Sequence, residues 1–331
     1  MSKVEGRWPR ANQRPVNLLS SLDPRLTRVF ALKIHMLVFL NGRFLPEAQA
    51  VVPINDRGFM YGDGLFETMR VVNGKPFRLT QHLERLQRGA DFLKIKCPFT
   101  LAKMQDFAGQ LIGKNKMPDA ILRVVLTRGP GERGYTPGAG GKPTMVMSLH
   151  AAPGAPASGT ARSDPSSSQT VPEAGAPIQW RLATSSFRVS AVDPFAAFKT
   201  LNKLVHVLAR MEAIEKGADE ALLLNTNGEV AETASGNLFW VSRGRVCTVP
   251  TGCGALPGVT RAVVLEICQT LGLPTDQRVI KSEALRKSEG IFITQSAFGI
   301  VPVSVFNGEP VAPSPLVGQI AGAYAELLAP P

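Results

Sequence analysis

Residues 151–177, AAPGAPASGTARSDPSSSQTVPEAGAP, hold one Val and otherwise only small, proline, polar and charged residues. A stretch of that make-up has nothing with which to build a packed core, and it reads as a mobile linker. It divides the chain into 36–150, a smaller α/β part, and 178–331, a larger part. Each half must bury its own apolar side chains, and each is long enough to do so. Residues 1–35 stand apart as a poorly defined extension with no clean hydrophobic period. They carry seven Lys/Arg against two Asp/Glu, and Met36 is a candidate natural start. A transit peptide is the alternative reading of that segment.

From Met36 the pattern is punctuated by turn residues. MLVFLNGRFL reads as two strands joined at Asn41-Gly42, a hairpin signal. Gly62 and Gly64 break a turn before a strand over 65–72, and Asn73-Gly74 turns the chain again. Leu83, Leu86, Ala90 and Leu93 have helical spacing within a helix expected over 80–93. A second helix is expected over 100–113 and a strand over 121–127. The glycine-rich loop RGPGERGYTPGAGGKP follows, and then a strand over 144–149. In the second half, strands are expected over 180–183, 220–225, 237–241, 245–249, 290–294 and 301–305. A helix over 201–216 would present Leu201, Leu204, Val205, Leu208 and Met211 on one apolar face, another spans 260–271, and a short helix ends the chain. Strands and helices in this order suggest two α+β domains with a cleft between them.

Composition excludes several classes. The longest apolar runs are far too short to span a bilayer, and no signal peptide opens the chain. Cys97, Cys247, Cys253 and Cys268 form no CxxC pair and the four His are scattered. No metal is therefore expected, and free thiols in a reducing cytoplasm are. The net charge is +11. No basic run with interleaved aromatics accompanies it, so no nucleic acid is expected, while small anionic ligands suit the balance.

Lys199 lies before the 201–216 helix among Phe195, Phe198 and Leu201. Such surroundings favour a neutral amine, which can form a Schiff base with an aldehyde cofactor. Lys203 is its rival, expected on an exposed helix face. Glu232 follows the Asn227-Gly228 turn and could pair with a protonated ring nitrogen. Arg85 shares a helix face with His82, and a guanidinium can clamp a phosphate. Pro257-Gly258-Val259-Thr260 enters a helix, whose first N–H groups suit an anion, and Ser296 could add a hydroxyl. Each of these residues alone has an ordinary structural explanation, but their order along the chain is specific.

The motifs YGDGLFETMRVVNG, HLERL, FKTLN, ADEALLLNTNGEVAETASGNLFWV, LPGVTR and TQSAFGIVPV resemble those of the class IV aminotransferases across essentially 36–331. That group includes branched-chain aminotransferases, D-amino-acid aminotransferases and 4-amino-4-deoxychorismate lyases. The resemblance implies the two-domain α+β fold of that group, pyridoxal 5'-phosphate (PLP) as cofactor, and a homodimer. It further implies that Lys199 carries the cofactor and Glu232 meets its pyridine nitrogen. Arg85, the backbone at Val259 and Thr260, and Ser296 would hold its phosphate. The run TRGPGERGY is most similar to the lyase branch, which gives 4-aminobenzoate and pyruvate in folate biosynthesis. Gln295 and Ala297 depart from that branch, where Asn and Leu are expected. Arg133, Arg123 and Arg128 are the candidate partners for an anionic amine substrate. The alternative is a transaminase of D-amino acids or branched-chain L-amino acids.

Overall fold

The computed structural model describes residues 36–138, 141–153 and 179–329. The extension 1–35 and nearly all of the 151–177 segment lie outside these residues. The chain opens with a hairpin of β1 (Leu37–Leu40) and β2 (Arg43–Pro46). Asn41 (φ 49) and Gly42 (φ 90) supply its left-handed turn, the geometry that matches strand twist in a two-residue loop. The short helix α1 (Arg57–Tyr61) is capped by the Asp56 side chain, which accepts from Gly58 N–H. Then come β3 (Gly64–Val72), β4 (Lys75–Pro76), α2 (Leu79–Phe92), α3 (Leu101–Asn115), β5 (Ala120–Thr127) and β6 (Thr144–Ala151). The six strands form one sheet in the order β2-β1-β6-β5-β3-β4.

Strand alternation gives this sheet two different faces. Leu65, Met69 and Val71 of β3, with Leu122, Val124 and Leu126 of β5, pack against Leu83, Leu86 and Ala90 of α2 and Met104, Ala108 and Leu111 of α3. The other face, which no helix covers among the described residues, carries Phe66, Thr68, Arg123 and Val125, half-buried.

The second sheet is built from residues 180–310. Its strands are β7 (Trp180–Val189), β8 (Glu220–Asn225), β9 (Val230–Thr233), β10 (Asn237–Ser242), β11 (Arg245–Thr248), β12 (Thr275–Gln277), β13 (Gly290–Gln295), β14 (Gly299–Phe306) and β15 (Glu309–Pro310). Their order is β12-β11-β10-β13-β14-β7-β8-β9, with β15 beside β14. Every residue of β8 and β9 is buried, as expected for strands covered on both faces. Helix α4 (Leu204–Glu215) packs on β7 and β8, while α5 (Val259–Thr270) and α6 (Pro315–Leu328) pack on each other and on β13. No helix among the described residues is long and apolar enough to cross a membrane.

Helix α4 corrects the sequence-based expectation in two ways. It begins at Leu204 rather than Leu201, because the preceding backbone is tied to β3. Phe66 N–H donates to Lys199 C=O at 2.9 Å, and Leu201 N–H donates to Gly64 C=O at 3.0 Å. The face expected to be buried is also largely open. Leu204 is 70% exposed and Met211 53%, whereas Ala209 and Ala213 are buried. Two small residues let the helix approach β7 and β8 closely, against Ala183, Ala221 and Leu223. That close approach turns the larger side chains outward. The strand expected over 180–183 runs on to Val189. β9 was not foreseen, because its four residues lie between two turn signals.

Candidate active site

A cavity of about 480 Å³ lies between the two sheets. Its walls include Lys199, Glu232, Arg85, Val259, Thr260 and Ser296, so one cleft gathers six residues that span more than two hundred positions of sequence. Phe66 and Thr68 of β3 close the first-sheet side.

Lys199 sits in the segment clamped to β3, with Nζ 4.5 Å from the Phe66 ring centroid. Burial, and then the nearby Arg85 charge, lower its pKa to about 8. Lys203, expected on an exposed face, instead lines the cleft, and burial lowers its pKa too. The correction follows from the later helix start, which leaves Lys203 in the N-cap position, turned toward Glu232.

Glu232 stands on β9 and is buried. Its Oε1 faces His206 Nε2 at 3.0 Å, and its Oε2 accepts from Leu256 N–H at 2.9 Å. Burial pushes the Glu232 carboxyl up. The His206 hydrogen bond and charge, Lys203 and the Leu256 N–H outweigh burial and hold it below the usual range.

Arg85 is fixed by a partner that the sequence reading did not single out. Glu67 projects from the helix-covered face of β3, fully buried. It accepts from Arg85 Nε at 2.7 Å and Nη2 at 2.8 Å, and it meets His82 Nδ1 at 2.6 Å. Burial raises the Glu67 pKa, but the Arg85 charge and the His82 hydrogen bond bring it down to about 2. The remaining Arg85 amino group donates to Pro257 C=O at 2.9 Å, which ties α2 to the turn that begins α5. A signal for Glu67 existed. It shares strand parity with Leu65, Met69 and Val71, and a carboxylate on an apolar face requires partners.

The α5 turn leaves no room for a side chain at Gly258 while Asn237 keeps its place. A Cβ there would lie 2.0 Å from Asn237 Oδ1, and Asn237 Nδ2 donates to Leu256 C=O at 2.8 Å. Val259 and Thr260 follow in the first turn of the helix, where N–H groups have no intrahelical acceptor and the dipole is positive.

The three loop arginines part company. Arg128 is consumed by structure. It grips Asp63 through Nε (2.7 Å) and Nη2 (3.0 Å), and donates to Leu93 C=O and Lys94 C=O. Arg133 is exposed on the loop and does not line the cavity. Arg57, unforeseen, braces that loop through Gly134 C=O at 2.8 Å and Tyr135 C=O at 3.2 Å. Arg123 stands on the open face of the first sheet, its guanidinium 4.2 Å from the Phe66 ring centroid. The ring that Lys199 touches is therefore also the one that Arg123 covers.

The family model for amino-transferase class IV matches residues 64–306. A Methanocaldococcus jannaschii protein assigned provisionally as a branched-chain-amino-acid aminotransferase is 36% identical over 86% of this chain and 92% of its own. The aminodeoxychorismate lyase of Bacillus subtilis is 28% identical over 80% of this chain and 85% of its own. Among solved structures, the branched-chain amino acid aminotransferase of Escherichia coli superposes with a TM-score of 0.79. It is 25% identical over 88% of this chain and 94% of that one.

Proposed function

The chain belongs to the class IV aminotransferase family, and we propose that it transfers the amino group of an apolar, branched-chain-type amino acid to a 2-oxo acid. It is a PLP enzyme, and the cleft residues fit that cofactor. Lys199 offers an amine that loses its proton readily. Glu232 offers a carboxylate held ionised for the ring nitrogen. Val259, Thr260, Ser296 and the braced Arg85 offer donors for a phosphate. When bound, PLP supplies a carbonyl for amine exchange and a ring that accepts electrons.

The chain's own groups then have distinct tasks. Lys199, as a neutral amine, would take the proton from the amine-bearing carbon of the substrate and deliver it to the cofactor carbon that receives the amino group. Glu232 would present its negative charge to the ring nitrogen. Arg123, beside the Phe66 ring that Lys199 also meets, would hold the substrate carboxylate.

The choice of substrate rests on one observation, the separation of the three arginines. Arg128 is spent on Asp63 and Arg133 faces outward, while Arg85 and Arg210, which line the cavity, are held by Glu67 and Glu220, so Arg123 is the guanidinium near the cleft with no carboxylate partner among the described residues. One such guanidinium suits a monocarboxylate. Val207, Met211, Leu256 and Ala297 give the rest of the wall an apolar surface suited to an aliphatic side chain. The 36% identity to the Methanocaldococcus jannaschii protein supports the same reading.

Aminodeoxychorismate cleavage is the second reading, favoured by the TRGPGERGY run and the identity to the Bacillus subtilis lyase. We further propose a cytoplasmic homodimer. Leu204 and Met211, on the outward face of α4, leave large apolar side chains exposed (70 and 53%), which a second copy could cover. A panel of L- and D-amino acids with 2-oxoglutarate, run beside aminodeoxychorismate, tests the assignment. Turnover of leucine or valine supports it, and release of 4-aminobenzoate with no amino transfer replaces it with the lyase.

A further inference from the structure

His206 is not explained by the chemistry above. It lies in the first turn of α4, half-buried on the cavity wall. Its Nε2 is 3.0 Å from Glu232 Oε1, while its Nδ1 is buried without a hydrogen-bond partner among the described residues. Its ring therefore makes one polar contact there, and that contact is Glu232. Glu232 is held ionised, and an ionised carboxylate only accepts, so Nε2 carries a proton and the ring donates.

We propose that His206 is a positioning residue that orients Glu232 and keeps its carboxylate available to the ring nitrogen of the cofactor. This rests on the placing of Glu232 against PLP given above. The carboxylate has about four acceptor positions. Leu256 N–H takes one on Oε2 and His206 takes one on Oε1, which fixes the carboxylate plane from two elements, β9 facing α4 and the turn before α5. Lone pairs on both oxygens stay open toward the cleft. The other charged groups around Glu232 are Lys203 at the head of α4 and Lys199 before it, with Arg85 acting on both lysines from α2. Neither lysine is within hydrogen-bonding contact of the carboxylate, so His206 is the side chain that sets its orientation.

The test follows the Glu232 carboxyl carbon by NMR across pH in the PLP-loaded full chain, using Glu232→Gln to assign the signal. His206→Phe removes the donor and should move the Glu232 midpoint up by about one pH unit. It should also weaken PLP binding about tenfold. His206→Gln, which can place an N–H near the same oxygen, should restore most of both. In the Glu232→Gln background, His206→Phe should change PLP affinity less than twofold. An unmoved midpoint in His206→Phe, or an equal loss of affinity with and without Glu232, would overturn the proposal. Failure of the Glu232 placing has a different signature. Glu232→Gln would then bind PLP with unchanged affinity and absorption, whatever His206 does to the midpoint.

Discussion

Replacing Glu67 with Gln keeps the shape of the side chain and removes its charge. In the wild type that charge is buried and shared by three close contacts, two to Arg85 and one to His82. The carboxyl falls from 4.5 to about 2 in the folded chain, which corresponds to roughly 3 kcal/mol of stability at neutral pH. Direct loss of one partner from a buried pair costs about 3–5 kcal/mol, so both routes point to the same size. The sign of the pH dependence follows from the depressed value. The contribution is complete above 4.5, where the unfolded carboxyl is ionised as well, and is lost as pH falls toward 2. Urea unfolding of wild type and Glu67→Gln should therefore differ by about 3 kcal/mol near pH 7, and by less than half of that near pH 3. A difference under about 1 kcal/mol at pH 7 would refute the reading of Glu67 as the buried, ionised partner that fixes Arg85. So would a difference that does not shrink with acid.

Other perturbations probe the cleft itself. The rate at which the cofactor-free chain captures PLP should rise with pH and level off above about 8, where Lys199 is neutral. Arg85→Gln should lift that midpoint toward 10.5 by removing the adjacent charge. Arg123→Gln should raise KM for the amino acid about tenfold or more, since it removes a charge-assisted hydrogen bond. Arg133→Ala should leave KM within about twofold. Gly258→Ala should weaken PLP binding measured by absorbance, because its Cβ meets Asn237 Oδ1 at 2.0 Å. Its folding cost should be about 1–3 kcal/mol.

Much of the fold was legible because local chemistry dictated it. Asn41-Gly42 and Asn73-Gly74 turn the chain where their left-handed backbones allow it, and the spacing of Leu83, Leu86 and Ala90 is that of the buried face of α2. Lys199, Glu232, Arg85, Val259, Thr260 and Ser296 were legible as a set, and the structure brings all six to one cavity. Partnerships made across the fold were not legible. Glu67 and Arg85 are far apart in pattern although eighteen positions apart in sequence, and His206 meets Glu232 only because α4 packs on β8, the strand that pairs with β9. Arg128 looked available for a substrate until Asp63 and two loop carbonyls took its donors. The outward face of α4 was misread because Ala209 and Ala213 carry weak hydrophobic signals and yet do the packing.

The most direct test of the account is a single-turnover experiment on the PLP-loaded chain mixed with L-leucine in the absence of any 2-oxo acid. The account predicts that the cofactor absorption shifts to that of the amine form, that one equivalent of keto acid appears per site, and that Lys199→Ala does neither. If the absorption returns unchanged and no keto acid forms, while aminodeoxychorismate yields 4-aminobenzoate and pyruvate, the transaminase reading is contradicted and the cleft is that of a lyase.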